Sequence, residues 1–326
     1  MSHLMKNYGR LPVSFDHGQG VWLWDKEGHK YLDALAGIAV NSVGHAHPRL
    51  VRAIADQASK LIHCSNYFNI DLQEQVAEKL VEHSGLEAVF FCNSGLEANE
   101  CAIKIARKFG HAKGIEVPNI IVLKHAFHGR SIATLSATGN PSVRADFSPY
   151  TEGFIFVDES DLDGIRKIVE ENKNVVAIFF EPILGEGGVV PIDLSVIKGI
   201  REICDEHDLL MMCDEVQCGM GRSGKWFAHQ WAEIKPDVIT MAKGLAGGVP
   251  VGAVIVSEKT NIFKPGNHGS TFGGNPLAMR AALETLSIIE DEKLVENALE
   301  VGKKLKKALS KSLNVSQACA VFAAKA

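Results

Sequence analysis

The chain contains the stretch Leu209-Leu-Met-Met-Cys-Asp-Glu-Val-Gln217, in which five apolar residues lead directly into Asp214. A second run of this kind, Asp237-Val-Ile-Thr-Met-Ala-Lys-Gly-Leu-Ala-Gly-Gly248, follows a proline and places Lys243 among small residues. Further apolar runs recur along the chain, and most are separated by segments long enough for a helix. Continuous apolar strands that alternate with helices are typical of a mostly parallel sheet with helices on both faces. The sequence therefore predicts an α/β fold with seven strands, at 88–92, 119–124, 154–157, 175–180, 209–213, 237–241 and 252–256.

Polar residues follow the predicted strands at their carboxyl ends, where ligands bind in such sheets. An amine such as Lys243 and a carboxylate such as Asp214 are what pyridoxal phosphate chemistry requires. The lysine forms a Schiff base with the aldehyde, and the carboxylate keeps the ring nitrogen protonated. Asp214 could instead cap a helix, but a buried carboxylate is costly without a partner, and the pyridinium nitrogen would be that partner. Gln217 lies close enough along the chain to reach the phenolic oxygen of the same cofactor.

The segment Asn93-Ser-Gly-Leu-Glu-Ala-Asn-Glu100 follows a predicted strand and opens a predicted helix. Free N–H groups at a helix start favour a phosphate, and Gly95 permits a close backbone approach. The alternative is a capped helix in which Ser94 is the N-cap and Glu97 completes a capping box. Together with Lys243 and Asp214, the phosphate interpretation is favoured.

Two other segments offer groups that could face a cofactor or substrate. In Ala126-Phe-His-Gly-Arg130, the Phe127 ring could stack on a pyridine ring or belong to the core. Arg130 could bind a substrate carboxylate or form a surface ion pair. In His268-Gly-Ser-Thr271, a phosphate contact and an ordinary turn are both open. The glycine-rich loop 219–224 does not match a nucleotide fingerprint.

Composition limits the other classes of function. The length of 326 residues favours one large domain plus a smaller one. The hydrophobic fraction of 46% is ordinary for a globular protein with a sizeable core, and the formal net charge of −5 is weak. No basic block indicates nucleic acid as a partner. Seven cysteines without paired spacing predict free thiols in a reducing cytosol. Because the start lacks a signal-peptide core and no apolar run reaches the roughly 18 residues of a membrane span, we expect a cytoplasmic protein.

Histidines occur in two close pairs, His45 with His47 and His125 with His128. Neither pair has an evident further ligand, so no metal site is predicted.

Alternation around Trp22, Trp24 and Tyr31 predicts a hairpin over 20–36. Helical periodicity predicts helices over 48–63, 72–83, 277–289 and 294–309.

Taken together, these residues resemble the class III pyridoxal-phosphate-dependent aminotransferases. The resemblance runs from Tyr8-Gly-Arg-Leu-Pro12, through Gly44-His-Ala-His-Pro48, to about Lys311, and its most specific part is Asp214-Glu-Val-Gln217 followed by Lys243. It implies fold type I of the pyridoxal phosphate enzymes. It also implies an N-terminal segment belonging to the small domain (1–57), a large cofactor-binding domain (58–285) and the start of an incomplete small domain (286–326).

The resemblance implies a role for each candidate residue. Lys243 would carry the Schiff base, Asp214 would pair with the pyridine nitrogen and Gln217 with the phenolic oxygen. The phosphate would be held by Ser94, Gly95 and Leu96, with Phe127 stacked on the ring. Substrate would be bound by Arg130 and Ser270, with Glu186 switching between the two substrates. Thr271 would reach the phosphate of the neighbouring subunit, which implies a homodimer.

The implied reaction moves the distal amino group of N2-acetylornithine to 2-oxoglutarate, giving N-acetylglutamate 5-semialdehyde and glutamate, a step of arginine biosynthesis. Ornithine, succinylornithine and 4-aminobutyrate remain alternative donors. Two departures from the family stand out. Leu96 replaces a hydroxyl residue, which predicts weaker cofactor binding. The tail from Ser316 replaces a domain that carries a second, carboxylate-binding arginine, so a truncated subunit that binds cofactor with impaired turnover is the alternative.

Overall fold

The computed structural model describes residues 3–312. Its strands are β1 (Phe15–Gln19), β2 (Trp22–Asp25), β3 (Lys30–Leu32), β4 (Ala88–Cys92), β5 (Asn119–Leu123), β6 (Phe154–Val157), β7 (Val175–Phe180), β8 (Ile183–Leu184), β9 (Val190–Pro191), β10 (Leu210–Asp214), β11 (Val238–Met241) and β12 (Gly252–Val256). Its α-helices are α1 (Ala36–Ala39, irregular), α2 (Pro48–Lys60), α3 (Asp71–Ser84), α4 (Gly95–Ala112), α5 (Ile132–Ala137), α6 (Pro141–Arg144), α7 (Leu162–Glu171), α8 (Leu194–Glu206), α9 (Pro276–Asp291) and α10 (Leu294–Ser312).

The central sheet has seven strands in the order β4-β12-β11-β10-β7-β5-β6. The pairs from β11 through β10, β7 and β5 to β6 are parallel, whereas β12 is antiparallel to both β11 and β4. Six strands therefore point in one direction and β12 points in the other. The prediction of a mostly parallel seven-stranded sheet is confirmed, and each strand lies within one residue of its predicted range.

Successive side chains of these strands point to opposite faces, and both faces are buried. On one face, β5, β7 and β10 pack against α4 through a cluster that includes Val122, Phe179 and Met212. On the other face, the same strands pack against α7 and α8, while β11 and β12 pack against α3 and α9. The predicted helices on both faces are thus confirmed. This double cover explains why the strands read as continuous apolar runs.

The hairpin predicted over 20–36 consists of β2 and β3, which pair in antiparallel fashion. The sequence analysis missed β1, which adds a third strand beside β2. The four predicted helices correspond to α2, α3, α9 and α10. No helix in the described range 3–312 is both long and apolar enough to cross a bilayer.

The proposed boundaries at 57 and 285 remain predictions. The third predicted segment is described only as far as Ser312, so the tail that begins at Ser316 lies outside the described residues. The six cysteines of the described part are free thiols.

Candidate active site

The carboxyl ends of the parallel strands meet at one edge of the sheet and carry the polar residues singled out above. β10 ends at Asp214, and β11 ends two residues before Lys243. These strands are direct neighbours, with Asp214 in register with Thr240. Glu181 follows the adjacent strand β7 in the same way. The topology therefore brings an amine and two carboxylates together from distant parts of the chain.

A cavity of about 470 Å³ opens at this edge. Both Asp214 and Lys243 line it, and their roles toward a cofactor remain predictions. Of the other predicted residues, the cavity wall contains Ser94, Gly95, Leu96, Phe127, Arg130 and Gln217. It also contains residues that the sequence analysis did not assign to the site, namely Val40, Asn99, His128, Glu181 and Val216.

Asp214 is held by three contacts and is only 3% exposed. Its Oδ2 atom accepts a hydrogen bond from Asn99 Nδ2 (2.7 Å) and lies 2.8 Å from His128 Nδ1. Its Oδ1 atom accepts from the backbone N–H of Val216 (3.0 Å). His128 is itself buried and stacks on Phe179, with 4.1 Å between ring centroids. A carboxylate fixed in this way can present its charge to the cavity without changing its orientation.

Lys243 begins a 3-10 turn, Lys243–Ala246, and a single residue separates it from β11. Its φ of 38° lies in the left-handed region, which non-glycine residues rarely adopt and which occurs at sites where the surrounding structure imposes it. Burial lowers the pKa of the Lys243 amine, although the nearby charges of Asp214, Glu186 and Glu181 oppose this shift. A lowered pKa increases the fraction of neutral amine, which is the form that acts as a nucleophile or base.

Glu181 is a buried acid that the sequence analysis quoted at a strand end without giving it a role. Its Oε2 atom accepts from the Phe127 N–H (2.9 Å) and its Oε1 atom from the Gly185 N–H (3.1 Å). Burial, reinforced by the charge of Asp214, raises the pKa of Glu181 to about 8. The side chain thus ties the loop that carries Phe127 to the loop that carries Glu186.

The start of α4 forms one end of the cavity. Ser94 is the N-cap, and its Oγ atom accepts from the Glu97 N–H (3.2 Å). Glu97 does not close the expected capping box on Ser94, because its carboxylate accepts from the N–H of Asn93 instead (2.5 Å). The next N–H groups, of Gly95 and Leu96, have no partner within the helix, and both residues line the cavity. The Ser94 cap uses the Glu97 N–H, so the Gly95 and Leu96 N–H groups remain available and the phosphate contact remains a prediction.

Packing against Val216 also requires a glycine at position 95, which the sequence did not indicate. A Cβ atom at this position would lie 2.6 Å from Val216 Cγ1. The absence of a side chain therefore lets α4 start against the segment that follows Asp214.

Phe127 is half-buried at the cavity wall rather than inside the core. Arg130 is exposed, and its guanidinium carbon lies 5.6 Å from the Phe127 ring centroid. Within residues 3–312, Arg130 has no carboxylate at ion-pair distance, so the alternative of a surface ion pair is not realised. The guanidinium is consequently available to an anionic ligand of the cavity.

Three predicted residues lie outside the cavity wall. Ser270 and Thr271 line an adjacent cavity of about 880 Å³. Ser270 Oγ accepts a hydrogen bond from Nδ2 of Asn93 (3.1 Å), and Asn93 lines the active-site cavity. Glu186 is close enough for its charge to act on Lys243, but it does not line the cavity among the described residues. The predicted roles of these three residues remain predictions.

The four histidines considered as metal ligands each lie against a carboxylate. His45 is 2.6 Å from Asp33, His47 is 3.0 Å from Glu292, and His125 is 3.0 Å from Glu159. The fourth, His128, is the Asp214 partner described above. These pairs give each histidine a function in local structure.

Comparison with known proteins agrees with this geometry. A family model described as Aminotransferase class-III matches residues 4–320. The acetylornithine aminotransferase of Nitrosomonas europaea is 55% identical over 303 residues, which cover 93% of this chain and 77% of that protein. Among solved structures, the ornithine aminotransferase of Toxoplasma gondii ME49 is 35% identical with a TM-score of 0.92, covering 96% of this chain and 75% of its own. The acetylornithine aminotransferase of Elizabethkingia anophelis is 36% identical with a TM-score of 0.83, covering 95% and 76%.

Proposed function

Since this chain belongs to the class III aminotransferase family, we propose that it transfers the distal amino group of N2-acetylornithine to 2-oxoglutarate. The family makes it a pyridoxal-phosphate-dependent aminotransferase. The choice of donor is supported by the relative with 55% identity, which is an acetylornithine aminotransferase. The observation that carries the proposal is that Asp214 and Lys243, from neighbouring strand ends, line one cavity with the start of α4.

The residues present fit pyridoxal phosphate as the cofactor. The N–H groups at the start of α4 would hold the phosphate, Asp214 would hold the ring nitrogen and Lys243 the aldehyde carbon. Phe127 would cover one face of the ring, and Gln217 would contact the phenolic oxygen. When bound, the cofactor accepts the electrons left on the substrate carbon after that carbon loses a proton.

Lys243 would also move the proton. Because burial lowers the pKa of its amine, a larger fraction is neutral near pH 7 and can take the proton from the carbon that bears the donor's amino group. The resulting Lys243 ammonium would then give the proton to the carbon on the other side of the transferred nitrogen. Asp214 keeps its orientation during this transfer, since Asn99, His128 and the Val216 N–H hold both of its oxygens.

Arg130 would bind the α-carboxylate of the donor, leaving the distal amine to react. Its planar guanidinium can make two parallel hydrogen bonds to a carboxylate, and it has no competing acid in the described part of the chain. Glu186, whose charge reaches the Lys243 amine, would adjust the site between the amino donor and the oxo acid acceptor.

The proposed working unit is a homodimer. Large apolar side chains stand exposed beside the cavity that contains Ser270 and Thr271, including Tyr67 (96% exposed), Phe68 (69%) and Phe272 (61%). A contiguous exposed apolar surface of this kind is typical of a protein interface. Covering it with a second copy would place Thr271 against that copy, where it would reach the phosphate of the partner's cofactor. Sedimentation equilibrium should give twice the chain mass, and a monomer would contradict the proposed homodimer.

A donor panel tests the proposed substrate. Protein supplied with pyridoxal phosphate should form glutamate from 2-oxoglutarate with the highest kcat/KM for N2-acetylornithine, compared with ornithine, succinylornithine and 4-aminobutyrate. Ornithine is the main competitor, because a structurally similar protein is an ornithine aminotransferase. A higher kcat/KM with ornithine would overturn the donor assignment and leave the reaction class intact.

A further inference from the structure

Arg222 lies half-buried in the glycine-rich loop 219–224, outside the active-site cavity. Among the described residues its guanidinium has one hydrogen bond, a 3.4 Å contact from Nη2 to Ser42 Oγ. No carboxylate of the described part lies within ion-pair distance. A desolvated cation without a counter-charge is costly, and burial accordingly lowers the pKa of Arg222.

Arg222 faces a small cavity of about 150 Å³, which we call the Arg222 cavity. One part of its wall is polar and consists of the Arg222, Ser42 and Asn41 side chains. The remaining part is largely apolar and is formed by Ala36, Met220, Gly221, Ile289, Leu294 and Ala298. The cavity therefore has a cationic end and an apolar end.

The loop that carries Arg222 packs closely against α10 at this cavity. A Cβ atom on Gly221 would lie 2.9 Å from Val295 Cγ2, so the glycine lets the loop rest on the first turn of α10. The Asn297 N–H is bonded to the Lys293 carbonyl (3.0 Å), and the earlier N–H groups of α10 have no partner within the helix. The first turn of α10 therefore contributes positive potential near the cavity that Leu294 and Ala298 line.

We propose that the Arg222 cavity binds a short aliphatic carboxylate. The guanidinium and the Ser42 hydroxyl would hold the carboxylate, because a planar fork matches its two oxygens. The alkyl chain would lie against Met220 and Ile289. At roughly 30 Å³ of liquid volume per water, the cavity holds about five water-sized groups, which is the size of a four-carbon acid.

This site is separate from the proposed reaction site but adjoins the Lys243 turn. A Cβ atom on Gly244 would lie 2.5 Å from Ser42 Oγ, so the wall of the Arg222 cavity packs directly on the residue after Lys243. The segment 40–42 also contributes to both cavities, through Val40 on one side and Asn41 and Ser42 on the other.

Residue-resolved chemical protection tests the proposal on the protein with its cofactor bound. Phenylglyoxal modifies accessible arginines, and mass spectrometry of peptides reads Arg222, Arg130 and Arg52 separately. Saturating butyrate should slow modification of Arg222 at least fivefold, whereas n-butanol, which has no carboxylate, should not. Arg52, exposed and without an acidic partner, is the control and should be unaffected. Equal rates with and without butyrate, or no modification of Arg222 at all, would refute the site, and so would equal protection by chloride or phosphate at the same ionic strength.

A thermal measurement gives an independent readout. Butyrate should raise the Tm of the wild type by mass action and should raise that of Arg222→Met clearly less, because any binding of butyrate at Arg130 is common to both proteins. If Arg222→Met fails to fold, Arg222→Lys keeps the charge without the fork and should show a smaller rise. A rise of equal size in wild type and variants would show that butyrate binds elsewhere. Because neither readout uses turnover, the result is independent of the donor assignment.

Discussion

His128 and Asp214 are joined inside the protein, with 2.8 Å between Nδ1 and Oδ2 and both side chains buried. This contact and the Asn99 hydrogen bond fix the Oδ2 atom of Asp214. We expect Asp214→Asn to keep the fold and to lower kcat by about 10²- to 10³-fold, because it removes a preorganised charge from the reaction site.

Asp237→Asn is the matched control for that variant. Asp237 precedes β11 at the opposite edge of the sheet and accepts hydrogen bonds from Arg201 (2.9 Å) and the Met211 N–H (2.8 Å). Its loss should lower the free energy of unfolding and leave kcat unchanged. Similar kcat values for wild type and Asp214→Asn would remove Asp214 from the cofactor site.

Lys243→Ala should abolish covalent attachment of the cofactor. Borohydride reduction followed by mass spectrometry should find the cofactor mass on the peptide containing position 243 in the wild type and on no peptide in the variant. Turnover should fall by at least about 10²- to 10⁴-fold, the range of a lost general base. Attachment at another lysine in the wild type would contradict the assignment.

Arg130→Lys should raise KM for N2-acetylornithine by about 10- to 100-fold. Arg130 is the one arginine among the described residues of the cavity wall, and lysine cannot replace a bidentate fork. Arg107→Lys serves as control, since Arg107 donates only to the Glu152 carbonyl on the surface. Following each half-reaction separately by absorbance shows which substrate depends on Arg130, and unchanged KM values would exclude it from both.

Leu96→Thr should tighten cofactor binding about tenfold. The new hydroxyl would add one hydrogen bond to a charged phosphate, which contributes roughly 1.5–3 kcal/mol. Leu96→Val introduces a side chain of the same shape as threonine but without the hydroxyl, and this variant should not gain affinity for the cofactor. Fluorescence titration of the protein freed of cofactor measures the dissociation constants. Equal values for the threonine and valine variants would place the phosphate away from the side chain at position 96.

Glu181 should make stability depend on pH. Its folded pKa of about 8 lies above the usual value of 4.5, so the folded protein retains a proton that the unfolded chain releases. This group therefore lowers the free energy of unfolding as the pH rises from about 4.5 to about 8, and the loss is complete above that range. Urea unfolding at pH 5, 7 and 9 should show a smaller decrease for Glu181→Gln than for wild type. The exposed Glu233→Gln should follow the wild type, and parallel curves for all three would disprove the shift.

Much of the fold was predictable because the central strands are buried on both faces. Such strands must be apolar at every position, so Val175–Phe180 and Leu210–Asp214 read as unbroken runs. The antiparallel direction of β12 was not predicted. A signal existed, because the ten residues between β11 and β12 are fewer than a parallel crossover requires. The strand β1 was missed because its residues are mostly exposed and carry little periodicity.

The site was predictable where a polar residue ends an apolar strand, as Asp214 does. It was not predictable where the contact joins distant segments. Asn99 lies inside α4, and only the packing of that helix on the sheet brings it to Asp214, 115 positions later. His128 was considered as a metal ligand with His125, because its true partner Asp214 lies 86 positions away and the sequence does not show that contact. Glu181 showed its position at a strand end, but nothing in the sequence revealed that it joins two loops.

The reversed strand β12 has a consequence for how the reacting groups keep their spacing. Through it, the lysine-bearing end of β11 and the helix-bearing end of β4 belong to one hydrogen-bonded ladder, with Met241 opposite Ala253 and Gly252 opposite Cys92. A slip of one residue along either pairing would shift the ends by about 3.3 Å and turn every side chain to the opposite face. The sheet thus sets the spacing between the Lys243 turn and the start of α4, and insertions in the loops around the cavity can alter its shape without changing that spacing.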